Sequence, residues 1–364
     1  MILEPKMIEE VQAAVQEAKC LGVRGQGTKP ALAMAWGETA VLSTRHLSGI
    51  LAYEPNEYTF TAYAGTAVSE VITTLAQNNQ YLPFDPLWVE AGATLGGTVA
   101  ANASGSGRYR YGGVRDFILG VSFVDGSGQL VRGGGKVVKN SAGFDIPKFM
   151  VGSLGRYGIL VELTFKVFPK PRSYVTLQLQ YASLHAALFA MFKLAVMPFE
   201  MDVLDLAPEL AGKATLIIRL GGLPEALPGR VERMRGFLQE QTEVETAVLL
   251  ENEADITYWQ AQNRFDWAFA ASQLVKIPVT PKQIPTLDKH LTNTLRRYSA
   301  GGNVAWVAAD DMTALQTTLT ELNLAGLQFT GHTDDPYLGS RKGRRFAQRI
   351  KKALDPNAVF STND

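Results

Sequence analysis

The chain has 364 residues, 46% hydrophobic and 19% charged, an ordinary globular balance too long for one hydrophobic core, so two domains are expected. Its 35 basic and 35 acidic residues cancel, which leaves no net field to draw nucleic acid or an anionic membrane surface. No apolar run approaches the length that crosses a bilayer, and the start, Met1-Ile2-Leu3-Glu4-Pro5-Lys6, lacks the basic and apolar regions of a secretion signal. The expected location is the cytoplasm, or the inner face of a membrane reached through a partner.

Residues 7–20 carry the i, i+4 spacing of an amphipathic helix through Ile8, Val11, Val15 and Ala18, with Gly22 as a stop. The lone Cys20 excludes an internal disulfide and falls on the apolar side of that helix, where packing explains it. Val23 then feeds the loop Arg24-Gly25-Gln26-Gly27-Thr28, which by itself fits either a tight hairpin or a phosphate loop. Short alternating segments at 39–44 and 59–64 flank turn chemistry at Glu54-Pro55-Asn56-Glu57. Helical spacing returns at 66–76, with Thr66 and Ser69 as expected caps. This is a small α+β unit rather than a regular βαβ array.

The densest glycine run follows Gly92: Gly96-Gly97-Thr98-Val99-Ala100-Ala101-Asn102-Ala103-Ser104-Gly105-Ser106-Gly107. Such a run gives up side-chain packing and is expected to gain positive φ angles, close backbone approach and a row of unpaired amides, as a pyrophosphate requires. Residues 104–113 continue as loop, so the strand-to-helix context of a GxGxxG nicotinamide fold is missing. Strands are expected at 118–124 and 129–131, joined by the hairpin signal Asp125-Gly126-Ser127-Gly128. A second polar loop spans 136–145, and Gly152-Ser153-Leu154-Gly155 precedes a strand at 159–168.

Glycine density drops after Pro169 and Pro171, which sets the expected boundary between a domain at 1–171, with subdomains of about residues 1–82 and 83–171, and a second at 172–364. In the second, a strand at 174–181, helix at 183–196, strands at 201–206 and 214–220, helix at 225–240 and strand at 244–250 spell a βαββαβ, ferredoxin-like pattern. Strands at 274–279 and 303–308 continue it. The basic run Arg341-Lys342-Gly343-Arg344-Arg345 leads into a final helix and reads either as a solvated face or as a docking surface for an acidic partner. The fold class is α+β.

Taken in order, Arg24 to Thr28, Gly96 to Asn102, Gly107-Arg108-Tyr109-Arg110-Tyr111-Gly112, Arg115-Asp116, Val124 to Gly128, Lys139-Asn140-Ser141-Ala142-Gly143-Phe144-Asp145 and Gly152 to Gly155 resemble the FAD-binding domain of the vanillyl-alcohol oxidase (PCMH-type) flavoproteins. Ala353-Leu354-Asp355-Pro356-Asn357-Ala358-Val359-Phe360 is similar to the C-terminal signature of their 2-hydroxy-acid oxidase branch, and the likeness extends to the FAD-binding subunits of glycolate oxidase (glycolate dehydrogenase). The resemblance implies a two-subdomain FAD-binding domain followed by a ferredoxin-like antiparallel-sheet cap. It implies FAD sites at Arg24, Gly25, Gln26, Gly27, Thr28, Gly92, Gly96, Gly97, Thr98, Ala101, Asn102, Ser104, Gly105, Gly107 and Arg108, with main chain at Gly158, Ile159 and Val161 toward the adenine. Covalent relatives attach flavin through histidine or cysteine, and these loops hold neither, so noncovalent FAD is expected.

The substrate half is less complete. Relatives that oxidise 2-hydroxy acids carry a W-x-x-R segment and a GHxGDGNxH run, but here Trp259-Gln260-Ala261-Gln262 ends in glutamine and Gly331-His332-Thr333-Asp334-Asp335 keeps one histidine. Neutral Gln262 cannot fork a carboxylate as a guanidinium does. Arg264 and His332 are the candidate catalytic residues, no metal site is expected from His46, His185, His290 and His332, and the aromatics Trp259, Phe265, Trp267 and Phe269 read as core or interface. The expectation is a flavin-bearing subunit working with a homologous catalytic flavoprotein subunit and an iron–sulfur subunit. The alternatives are a self-sufficient FAD oxidase or dehydrogenase of a small hydroxy acid or alcohol, and a scaffold that has lost FAD.

Overall fold

A computed structural model describes residues 1–32, 40–135, 144–210, 212–268 and 273–360. The loop read at 136–145 lies almost wholly outside the described residues, as does Phe269.

The first half opens with β1 (Ile2–Leu3), α1 (Ile8–Glu17), β2 (Leu21–Arg24) and β3 (Ala40–Ser43), a parallel three-stranded sheet in the order β1-β3-β2. Helix α1 stops at Glu17, because Ala18 turns extended; Gly22 lies inside β2 instead of ending the helix. Next come β4 (Ile50–Glu54), β5 (Thr59–Tyr63), α2 (Val68–Ala76) and β6 (Gln80–Tyr81). Neither Thr66 nor Ser69 caps α2, since Ala67 occupies the N-cap and the Thr66 hydroxyl pairs with Gly49 backbone across the loop. The glycine run is more helical than its composition suggests: α3 (Leu95–Ala100), α4 (Arg108–Tyr111) and α5 (Val114–Phe117) interrupt it. Strands β7 (Ile118–Val124) and β8 (Leu130–Gly134) form the hairpin read from the sequence, its turn held by Asp125 Oδ1 accepting from the Ser127 and Gln129 amides at 2.9 and 3.0 Å. After α6 (Ile146–Met150), β9 (Ile159–Lys166) completes an antiparallel sheet in the order β4-β5-β9-β7-β8, and β10 (Phe168–Pro169) pairs with β6.

The second half builds one nine-stranded antiparallel sheet. Its first part is β11 (Ser173–Tyr181), α7 (Leu184–Ala195), β12 (Val203–Pro208), β13 (Ala214–Gly222), α8 (Leu227–Gln241) and β14 (Thr246–Glu251), paired 14-11-13-12, the ferredoxin-like order. After α9 (Asn252–Arg264), the pattern repeats as β15 (Gln273–Pro278), α10 (Ile284–Asp288), β16 (Leu295–Ser299), β17 (Val304–Ala309), α11 (Met312–Glu321) and β18 (Ala325–Gln328), paired 16-17-15-18 and closed by β19 (Tyr337–Gly339). The two repeats meet edge to edge at Leu206 of β12 and Tyr298 of β16. One face of this sheet packs on α7, α8, α10 and α11. On the other, Leu274, Val304, Trp306 and Ala308 share a core with Phe84, Trp88, Leu95 and Val99 of the first half, so the sheet roofs the glycine-rich region.

Helix α12 (Arg344–Leu354) and the residues after it turn back onto the first half: the Leu21 amide donates to Val359 O and the Gly126 amide to Leu354 O, both at 2.8 Å. Read from the sequence with the cap, this segment instead completes the core of α1 and β2 through Val359 and Phe360. Asp355 organises the return. Its fully buried carboxylate accepts from the Val359 and Phe360 amides at 2.8 and 2.9 Å and from Lys351 Nζ at 2.5 Å. Asp355→Ala should therefore cost about 3–5 kcal/mol in urea denaturation, because it removes the counter-ion of Lys351 and strands two amides; Asp355→Asn, which keeps the acceptor oxygen, should lose less.

Candidate functional site

A cleft opens between the β2–β3 end of the first sheet and α3. Its lining gathers Arg24, Gly25, Gln26, Gly27 and Thr28 with Gly96, Gly97, Ala101 and Gly158, residues far apart in sequence, and adds Lys29, Leu32, Thr44, Thr94, Leu154, Gly155 and Leu160.

The two glycine segments do different work. Gly27 takes φ +83°, and the amides of Gln26, Gly27 and Thr28 donate to no protein acceptor among the described residues, so a nest of N–H groups faces the cleft from this loop. The expected row of unpaired amides at 96–102 is absent. Gly96 donates to Ala64 O at 2.7 Å, Gly97 to Thr94 Oγ1 at 3.2 Å, Thr98 to Thr94 O at 2.9 Å, Ala101 to Gly97 O at 3.1 Å and Asn102 to Val99 O at 3.0 Å. Helix formation consumed these donors, and Thr94 supplies the N-cap. What this segment offers is bare surface: a Cβ on Gly97 would stand 3.1 Å from Thr94 Oγ1 and 3.8 Å from Lys29 Nζ, projecting into the cleft.

Other residues expected at the site lie off the cleft. Gly92, at φ +85°, lies behind the first loop, where an added Cβ would stand 3.4 Å from the Gln26 side chain. Thr98 is buried on the far side of α3, its hydroxyl without a hydrogen-bond partner. Ser104 Oγ accepts from the Val114 amide, and Gly105 and Gly107 donate to Asp85, so these three hold the loop. Ile159 and Val161 point into the core of α1, while strand alternation turns Gly158 and Leu160 to the cleft. Arg108 is half-buried and faces Lys276.

Two lysines were not read from the sequence. Lys29, 7% exposed, sits at the inner end of the cleft with its ammonium 3.0 Å from Thr28 Oγ1 and 5.4 Å from the centre of the Trp88 ring. Burial pushes it down to about 8. Lys276, on β15, reaches across from the cap and donates to Asn102 O at 2.7 Å, and burial pushes it down to about 7. Asn102 holds φ +48°, so this bond pins a left-handed residue. The signal for Lys29 was its place directly after Thr28; nothing local marked Lys276, whose neighbours come from the fold.

Between cleft and cap, Trp88 stacks on Phe265 at 4.9 Å and Phe329 at 5.5 Å and meets the edge of Trp306 at 6.2 Å. Phe265 and Trp267 join this box, while Trp259 packs separately with Tyr258 and donates to Thr176 Oγ1 at 2.7 Å. Arg264 is on the surface, paired with Glu90 at 2.6 Å and Asp266 at 2.7 Å, and His332 is exposed; neither lines the cleft. Among the described residues no three His, Cys, Asp or Glu side chains gather as metal ligands, and no helix is long and apolar enough to cross a membrane.

A nest beside a small-residue helix, with an ammonium at its inner end that no carboxylate pairs among the described residues, has the donor chemistry for a dinucleotide pyrophosphate, and sequence comparison agrees. Residues 1–134 match the family model described as FAD binding domain. That match, together with the relatives below, implies FAD as the cofactor. Among curated proteins it is 38% identical to glycolate oxidase subunit GlcE of Escherichia coli (strain K12) over 173 residues, 47% of this chain and 49% of the relative. It is 28% identical to glycolate oxidase subunit GlcD of Bacillus subtilis (strain 168) over 58% of this chain and 50% of the relative, and 31% identical to D-lactate dehydrogenase of Anaerostipes hadrus over 50% and 39%. The chain thus spans about half the length of the curated relatives it matches, or less. Among solved structures, an alkyldihydroxyacetonephosphate synthase superposes with a TM-score of 0.71 at 16% identity over 98% of this chain and 75% of that one, a likeness of fold.

Proposed function

We propose that this chain is the FAD-binding subunit of a glycolate oxidase or dehydrogenase complex, taking part in oxidation of a 2-hydroxy acid, glycolate to glyoxylate, or in the electron transfer that accompanies it. The observation that carries the reading is the cleft built from residues 24–29 and α3, together with the likeness to glycolate oxidase subunits. When bound, FAD would supply the acceptor for the hydride, with its electron pair, that leaves the hydroxyl-bearing carbon. The chain's own share is positional. The Gln26, Gly27 and Thr28 amides meet pyrophosphate oxygens, Lys29 adds a cation, bare Gly97 allows close approach, and the Trp88 box keeps water from the inner end. No histidine or cysteine lines the cleft among the described residues, which supports noncovalent attachment.

On this reading, residues 1–171 form the FAD-binding domain and 172–364 the cap, with the tail after α12 returning to the first. The partners are a homologous catalytic flavoprotein subunit and an iron–sulfur subunit, and the assembly works in the cytoplasm or at the inner face of a membrane. A second reading, in which the chain oxidises its substrate unaided, gains support from a cavity under the cap that holds an arginine. Anaerobic mixing of the FAD-reconstituted chain with glycolate, D-lactate and related acids, with and without partner chains, separates them. The expected result is stoichiometric flavin absorbance and flavin reduction that needs the partner. Rapid reduction by the chain alone establishes the second reading, and absence of flavin uptake removes both.

A further inference from the structure

Two consecutive arginines on β16 meet opposite fates. Arg296 points to the helix-covered face and is held by both oxygens of Asp288, at 2.6 and 2.8 Å. Arg297 points to the face that roofs the first half, where no carboxylate stands within ion-pairing distance among the described residues. Its Nε is buried without a hydrogen-bond partner, and its guanidinium lies 5.4 Å from the centre of the Trp267 ring. Asp205, Glu209 and Tyr258 act on it only from a distance. Asp205 is already committed to Ser106 Oγ and, at 2.9 Å, to the Ala300 amide. A buried cation without a counter-ion is among the costliest arrangements a fold retains, and such groups concentrate where an anion is to be bound.

The surroundings fit a small flat anion. Arg297 lines a small cavity beneath the cap, walled by Trp267, Trp306 and Phe265, with Asp205 also on its lining. Gln262, the neutral residue at the end of the Trp259 segment, lines the same cavity. Gly105, from the glycine run of the first half, forms part of its floor. Across the sheet Arg297 and Lys276 both stand opposite Trp306, so two cations flank one indole on this face.

We propose that Arg297 anchors the carboxylate of a small organic acid in this cavity, with Trp267 backing the guanidinium and Gln262 as a neutral neighbour. This rests on the reading of the chain as part of a 2-hydroxy-acid oxidising system and names the side chain that would hold the acid. The planar fork of the guanidinium binds both carboxylate oxygens, which a lysine does only as a point charge.

The test is calorimetric titration of the full FAD-reconstituted chain with oxalate, alongside Arg297→Gln and Arg297→Lys, with the melting temperature of each variant. Expected are one oxalate per chain, binding weakened by salt, at least tenfold weaker binding in Arg297→Gln, partial retention in Arg297→Lys, and a melting temperature for Arg297→Gln at or above that of the parent, since it loses an unpaired buried charge. Oxalate binding that Arg297→Gln leaves unchanged, no millimolar binding by the parent, or destabilisation by Arg297→Gln would each overturn the assignment. Arg297-dependent oxalate binding without flavin reduction by any hydroxy acid keeps the anchor and removes the oxidation reading. Flavin reduction with Arg297-independent binding does the reverse.

Discussion

Gly97→Val should weaken FAD retention by at least about 100-fold, roughly 3 kcal/mol, with the fold intact. The contacts around each glycine dictate the choice of position. A Cβ at Gly97 meets only Thr94 Oγ1 at 3.1 Å and Lys29 Nζ at 3.8 Å, so a branched side chain there fills the cleft without striking backbone. Within α3 the loss of glycine even favours the helix slightly. Gly105 offers no such separation, because its Cβ would fall 2.7 Å from Asp85 O and 2.4 Å from Asp85 Oδ2. Gly96 fails likewise against Ala64 O at 2.9 Å. Variants at 96 and 105 should therefore lose stability together with flavin, and only Gly97→Val should lose flavin alone. The measurement is flavin absorbance per chain after reconstitution and gel filtration, beside a thermal melt. Full flavin content in Gly97→Val would remove the pyrophosphate from this wall of the cleft.

The α+β class and the first ferredoxin-like unit were legible because their strands alternate and their helices keep a 3.6 period, as at 174–181 and 183–196. The second unit was legible only in part, in the strands read at 274–279 and 303–308. Its strand β16 reads Leu295-Arg296-Arg297-Tyr298-Ser299, a sequence whose two arginines deny a strand on hydropathy grounds. Only the fold reveals that one arginine finds Asp288 on the helix face and the other faces the cavity beneath the sheet. Composition misled at the glycine run for a related reason. Small residues suggested loop, but Thr94 caps them into a helix whose amides are spent internally, so the nest falls to residues 26–28 alone. At β9, where the reading concerned main chain, the side chains alternate: 158 and 160 face the cleft, and 159 and 161 face the core. A one-residue slip in a strand exchanges its two faces, and nothing local to a short apolar run fixes that phase.

Trp88→Ala should cost about 3–5 kcal/mol and loosen the cap from the first half. Trp88 is 7% exposed, and each aromatic neighbour that it touches comes from the second half: Phe265, Trp306 and Phe329. The polar links across the same junction include hydrogen bonds, such as Asn263 Nδ2 to Asp85 at 2.9 Å and Lys276 to Asn102 O at 2.7 Å, and the half-exposed ion pair of Arg264 with Glu90. Such bonds net about 1 kcal/mol each, so apolar burial around this indole is the larger share of the adhesion. Urea denaturation should show the loss in Trp88→Ala and only part of it in Trp88→Phe. A double-mutant cycle with Phe329→Ala should return a coupling of about 0.5–1.5 kcal/mol, the range for a stacked aromatic pair beyond its burial. Because the Lys29 ammonium lies over the same ring, Trp88→Ala should also weaken FAD binding through a residue that does not line the cleft. If Trp88→Ala cost under about 1 kcal/mol while flavin affinity stayed at the parent value, the indole would be neither the adhesive nor the support of Lys29.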